Sequence, residues 1–414
     1  MAAVPSVPAC PGRVCIASKN CPAISTGKDE RIENTEVIVP RLQQLVIVRG
    51  ENLHFDGLTF SHNEWVPGRE ARKGAAQAAW RAPGALSFRG AHHCSVGNCV
   101  VTHVGSYGIE VSEGSSDVEI AGNKIAELAA GGVKVWHGSR RVTITDNEIA
   151  DGGHRWRQAV GVLIGKCSGN KVLHNHIHDF DYTGVSVGWT WGYAESDAYG
   201  NIIEHNHIHH IGRGALSDLG GIYTLGVSPG TRLRFNLIHD IESRGYGGWG
   251  IYTDEGSSDI LIENNIVYRT KTQSFHQHYG RNNIVRNNIF AFSGEGGLAV
   301  TRPEPHPAFR FERNIILTNG TGKCVGGRWQ DAGAVVDRNL YFRIGRGKLE
   351  FEGKSFGAWQ KRGFDRHSLI ADPRFVAPER GDFRLRARSP ARKLGFIPVE
   401  LMVGPRKTAS SCAQ

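Results

Sequence analysis

Apolar residues in this chain fall in short alternating runs, such as VGVLIG, GVSVGW, GIYTLG and GIYTDE, and each run ends at Gly, Asn or Asp. Alternation of this kind fits a half-buried strand, and no segment keeps a helical period of roughly 3.6 residues over a dozen positions. The runs also recur. An asparagine followed by an aliphatic or aromatic run returns at Asn98, Asn123, Asn147, Asn175, Asn206, Asn236, Asn265, Asn288, Asn314 and Asn339, in segments such as NKIAEL, NEIADG, NHIHDF, NHIHHI and NLIHDI. A period above about 20 residues marks a solenoid, and a coil of roughly 23 residues holds three short strands and three turns. The pattern predicts an all-β, right-handed parallel β-helix of about ten coils. Within it each Asn amide donates to, and accepts from, the equivalent Asn one coil away. The wider gaps between Asn147 and Asn265 place loops of about five to eight extra residues on those coils, and loops on a rigid scaffold carry function.

Composition narrows the picture further. With 414 residues, 40% of them apolar, and 53 Gly, the chain can bury one large core rich in tight turns. The formal charge of +9 comes from scattered Lys and Arg, with no dense basic run, so nucleic acid is not an expected partner. No apolar run approaches the roughly 18 residues of a membrane-spanning helix. Cys10, Cys15 and Cys21 cluster without a nearby His, and Cys94, Cys99, Cys167, Cys324 and Cys412 are dispersed, so a zinc site from the first three is not favoured. The opening MAAVPSVPACPGRVC lacks the basic region and apolar stretch of a signal peptide. Residues 1–35 are expected to be poorly ordered or a mis-called start, 36–405 to form one catalytic β-helix, and 406–414 a tail. The expected state is a monomer without a cofactor.

The repeat aligns the chain with itself. In GVKVWH, GVLIGK, GVSVGW, GIYTLG, GIYTDE, FHQHY and GLAVTR, alternation sends Val133, Val162, Val185, Ile222, Ile251, Phe275 and Leu298 inward. Lys134, Leu163, Ser186, Tyr223, Tyr252, His276 and Ala299 then point outward, followed two residues on by Trp136, Gly165, Gly188, Leu225, Asp254, His278 and Thr301. Neighbours in a column stand about 4.8 Å apart. Tyr223, Tyr252, Asp254, Glu255, His276 and His278 should therefore form one polar, aromatic patch. Asp218, in the turn SDLGG, lies at its mouth. The loop GWTWGYAESDAY is expected to project nearby with Trp189, Trp191 and Tyr193.

Paired carboxylates are what glycoside hydrolysis requires, one protonated as acid and the other ionised as nucleophile or base. Asp218 and Asp254 are the candidate pair, although Asp is also an ordinary turn residue. Aromatic rings suit the apolar faces of sugars, with phenol and indole donors for hydroxyls. His276 and His278 share a face and are read as hydroxyl or carboxylate partners in preference to metal ligands. Another His column, His178, His209 and His239 in three IHD or IHH turns, is read as rings that cap turns and pack on one another. Arg302, in TRPEPH with Glu304 and His306, is a further substrate-binding candidate. Two alternatives stay open. A calcium-dependent polysaccharide lyase needs several oxygen ligands and a basic residue, for which only Arg302 is at hand. A non-catalytic carbohydrate-binding β-helix needs neither.

The segments GVSVGWTWGYAESDAYGNIIEHNHIHH, GALSDLGGIYTLGVSPGT, GGWGIYTDEGSSDILIENN and FHQHYGRNNIVRNNIF resemble bacterial β-helix enzymes of glycoside hydrolase family 141. DPRFVAPERGDFRLRARSPARKLGF is similar to the closing segment of such proteins, and the likeness covers roughly residues 36–405. The resemblance implies action on plant cell-wall polysaccharides, as an α-L-fucosidase on pectin or as a xylanase. It places the family's proposed aspartate pair on Asp218 of SDLGG and Asp254 of YTDEG. Such proteins usually carry more chain before EVIVPRLQQL and are often secreted or periplasmic; here residues 1–35 depart from the pattern.

Overall fold

A computed structural model describes residues 38–67, 76–320, 322–329 and 332–406. The expectations for residues 1–35, for Cys10, Cys15, Cys21 and Cys412, and for the tail beyond Arg406 lie outside these. The chain divides into two compact units, Met1–Arg41 and Leu42–Gln414. Residues 38–41 of the first hold no regular element. The second is the solenoid.

Three parallel sheets run its length. The first has twelve strands, from Val46–Val48 to Glu350–Phe351; the second has eleven, from His54–Asp56 to Ala334–Asp337; the third has twelve, from Thr59–Asn63 to Leu369–Ile370. Successive strands of each sheet come from successive coils, which makes the fold a right-handed parallel β-helix. The coils outnumber the expected ten because the earliest and last ones carry no ladder asparagine.

The ladder itself runs from Asn123 to Asn339. Each Oδ1 accepts from the backbone N–H and the Nδ2 of the preceding Asn, at 2.9–3.3 Å. Asn98 is not part of it. Cys99 takes that place, its N–H donating to Asn123 Oδ1 at 2.9 Å, while Asn98 occupies the left-handed turn position one residue earlier. At the other end Asn339 donates to Asp365, which also accepts from Tyr341, Trp359 and Ser368. A short helix, Phe356–Lys361, capped by Ser355, buries Trp359 against Phe364, Trp329 and Phe351 and closes that end.

One glycine column decides where side chains of the first sheet can go. A Cβ on Gly184, Gly221 or Gly250 would stand 2.7, 2.5 or 2.2 Å from Ile208, Ile238 or Val267 of the third sheet. Glycine is required there, and it faces the core together with the aliphatic residue that follows it. Two consecutive inward positions interrupt the alternation, so the residue before the glycine turns outward. In the coil of Gly250 that residue is Trp249.

Beyond the last coil the chain returns over the third sheet. Phe375, Phe383, Leu394, Phe396 and Val399 cover Ile266, Tyr268, Ile289, Ile315 and Leu317. Ile397 exchanges two hydrogen bonds with Asn287, and Arg406 pairs with Asp146. No helix among the described residues is long and apolar enough to cross a membrane.

Candidate functional site

The registers of the first sheet match the expected columns. Val185, Ile222, Ile251, Phe275 and Leu298 stack inside, and Ser186, Tyr223, Tyr252, His276 and Ala299 stack beside them. The second set does not face open solvent. Tyr223, Tyr252 and His276 are only 2%, 4% and 2% exposed, because loops roof this part of the sheet. Gln77 reaches over it to the hydroxyls of Tyr182 (3.0 Å) and Tyr223 (3.4 Å). Farther along the same column, Lys134 and Glu110 form a buried ion pair at 2.8 Å.

Two loops carry the mouth of the site. Asp218, with φ of 59°, precedes the strand Gly220–Leu225, and its N–H donates to the carbonyl of Tyr246 in the next coil's loop. The Tyr182 hydroxyl donates to the Asp218 carbonyl at 2.9 Å, and Gly245 N–H donates to Ser217 Oγ at 3.0 Å. The backbone of Asp218 is thus fixed from two sides.

A cavity of about 370 Å³ opens here, lined by Asp218, Tyr246, Trp249, Tyr252, Asp254, Glu255, His276, His278 and Thr301. Asp254 forms its floor. Its Oδ2 accepts from Tyr223 at 2.5 Å and its Oδ1 from Tyr252 at 2.7 Å. Asp218 stands across from it with a raised carboxyl pKa. Burial is the main cause, the negative Asp254 adds to it, and the neighbouring hydroxyls of Tyr252 and Tyr246 oppose it. The Tyr246 hydroxyl is raised in turn by burial and by Asp218.

Aromatic packing completes the wall. His276 lies flat on Tyr252, with ring centres 5.1 Å apart and planes 6° from parallel, and Trp249 packs on both at 4.2 Å. Burial, then the neighbouring His278, pushes the His276 pKa down to about 3. Both histidines bond the Thr301 hydroxyl at 2.9 Å. Trp249 is anchored through its indole N–H to Gln273 at 2.9 Å.

Of the residues expected in the site, Asp218, Tyr252, Asp254, Glu255, His276 and His278 line the cavity, while Tyr223 lies behind it as the partner of Asp254. Four others lie elsewhere. Trp189 does not project: it is 2% exposed, donates to Ser186, and packs edge-on between Trp136 and Trp191. Trp191 is 50% exposed on the loop beyond it. Tyr193 bonds Glu304 and His306 and meets the edge of Tyr279. Arg302 lies over the Tyr279 ring at 4.3 Å, and Tyr279 donates to Glu255 at 3.3 Å. These last two therefore reach the cavity only through Tyr279 and Glu255. Trp249, Tyr246 and Thr301 were not singled out from the sequence. GGWG beside IYTDE was the available signal for the tryptophan.

A larger cavity, about 630 Å³, lies on the third sheet beside His210, Arg213, Asp240, Glu242, Arg269 and Lys271. Its Asp240 is held in a two-pronged pair by Arg269 and also bonds His239, which pins it well down, to about 2. The raised Asp218 carboxyl lines the smaller cavity.

A family model described as a right-handed beta helix region matches residues 44–188, 84–248 and 194–339. No curated protein matches the chain. Among solved structures, a protein described as a glycoside hydrolase aligns at 22% identity over 66% of this chain and 53% of its own, with a TM-score of 0.55. A complex of XylC with xylose aligns at 13% identity over 78% and 53%, TM-score 0.46. The A-module of the Azotobacter vinelandii mannuronan C-5 epimerase AlgE4 aligns at 11% identity over 72% and 87%, TM-score 0.44. The chain spans about half the length of the first two. At these identities the likeness is one of fold.

Proposed function

We propose that this chain, which belongs to the right-handed β-helix family, is a glycoside hydrolase that cleaves plant cell-wall-type poly- or oligosaccharides with two carboxylates. One observation carries the proposal: Asp218, with its pKa raised, faces an Asp254 whose two oxygens each accept a phenol proton, inside an aromatic-walled cavity. A carboxyl with a raised pKa facing a second carboxyl that accepts two hydrogen bonds suits the acid and the nucleophile or base of this chemistry. The resemblance to glycoside hydrolase family 141, on the segments that hold this pair, favours a fucosidase- or xylanase-like substrate.

In the mechanism Asp218 gives its proton to the glycosidic oxygen as the bond to the anomeric carbon breaks. Asp254 either bonds that carbon, to be displaced later by water, or takes a proton from the water that attacks it. The anomer first released distinguishes the two. Tyr223 and Tyr252 hold Asp254 in place, and Trp249 gives the cavity an aromatic wall for a sugar ring. Among the described residues no Lys or Arg lines the cavity, so a lyase would have to use His278 or Tyr246 to take a proton beside a uronate.

The test is a screen of plant glycans and aryl glycosides for released sugar. Saturated reducing-end products support hydrolysis. An ultraviolet-absorbing unsaturated product lost on chelation would replace it with the lyase, and glycan binding without any product would replace it with a binding module.

A further inference from the structure

The motifs NHIHDF, NHIHHI and NLIHDI place a second cluster on the outer face of the third sheet. His176 pairs in register with His207, and His178 with His209 and then His239. These residues lie on strands, not in turns, so they cap nothing. The second column stacks, with ring centres 5.0 Å apart and planes 3° and 6° from parallel. Stacking would account for the rings, but not for where their nitrogens point.

His176 Nε2 stands 2.7 Å from His209 Nε2, and His207 Nε2 stands 2.8 Å from His239 Nε2. One ring nitrogen each of His176, His207 and His209 falls within 4.8 Å of the others. Carboxylates orient the flanking rings from behind: Asp179 bonds His178 Nδ1 at 2.7 Å and Asp240 bonds His239 Nδ1 at 2.6 Å. His178 Nε2 is buried without a hydrogen-bond partner. We infer that His176, His207 and His209 form a binding site for a divalent d-block cation of the zinc class, which all-imidazole donors favour over Mg²⁺ or Ca²⁺.

An ion bound here ties two adjacent coils together. The strand His207–Ile211 runs directly into the loop that presents Asp218, so the ion would brace the base of that loop.

The full chain, stripped with a chelator and dialysed, is titrated with Zn²⁺ by calorimetry and with Co²⁺ by visible absorption. Expected are one equivalent of Zn²⁺ per chain, the visible bands of low-coordinate Co²⁺, and a higher melting temperature with Zn²⁺. His207→Gln and His209→Gln should weaken binding about tenfold or more, the scale of losing a ligand or its support, and abolish the melting shift. His54→Ala, at an exposed histidine elsewhere, should leave both unchanged. Unsaturable uptake with no melting shift in the unaltered protein overturns the site, as does undiminished stoichiometric binding in the variants. If the circular dichroism of the His207 or His209 variant departs from the parent, His176→Gln on the neighbouring strand decides by the same criteria.

Discussion

Tyr223 donates its phenol proton to Asp254 at 2.5 Å, from a position one coil earlier and 2% exposed. The scaffold of one coil thus orients the carboxylate of the next. Hydrogen bonds to charged groups contribute about 1.5–3 kcal/mol, which converts to roughly 10–100-fold in rate if the bond is needed in the transition state. Tyr223→Phe should lower kcat by that factor with little change in the melting temperature. Unaltered kcat would separate Tyr223 from the chemistry.

Tyr246 gives a test of protonation state. Its hydroxyl lowers the pKa of Asp218 against the upward push of burial and Asp254. Tyr246→Phe removes that restraint, so Asp218 should hold its proton to higher pH. If Asp218 is the acid, the alkaline limb of kcat/KM against pH moves upward. If Asp218 works ionised, the acidic limb moves upward instead.

His276 links pH to stability. Its folded pKa of about 3 lies below the ordinary 6.5, so unfolding takes up a proton between those values. The stability it contributes is fully present above about pH 6.5 and is lost as pH falls toward about 3. Chemical denaturation across this window should show stability falling with acid. His276→Gln, which cannot titrate, should flatten the slope by up to one proton.

The ladder predicts a mechanical effect away from the site. Asn206 accepts from the backbone and side chain of Asn175 and donates to Val172, Glu204 and Asn236. Asn206→Ala leaves buried backbone groups unpaired and should cost about 2–3 kcal/mol in urea unfolding. A loss under half of that would mean the coils do not depend on the ladder.

The repeat made much of this legible. Once the asparagines set the register, alternation alone placed Tyr223 beside Tyr252 and His276, and Asp254 beside His278. It failed where the backbone departs from strict alternation. Gly250 and Ile251 both face inward, which turned Trp249 outward against the expected order. Loops escaped for another reason: Tyr246 and Gln77 reach the site across contacts that no strand register encodes. Trp189 looked like a projecting platform by residue type, yet its neighbours Trp136 and Trp191 enclose it. The column of outward residues was correct in direction and wrong in exposure, because periodicity does not register a roof of loops.

The central claim is that Asp218 is the proton donor and Asp254 the ionised partner. Its most direct measurement compares Asp218→Asn and Asp254→Asn on two aryl glycosides of the cleaved sugar, one with a poor and one with an activated leaving group. General acid catalysis contributes roughly 10²–10⁴-fold, but an activated leaving group departs without a proton. Asp218→Asn should therefore lose about that factor on the poor leaving group and keep most activity on the activated one, while Asp254→Asn is inactive on both. Full activity in both variants, or an Asp218→Asn variant equally impaired on both substrates, would contradict it.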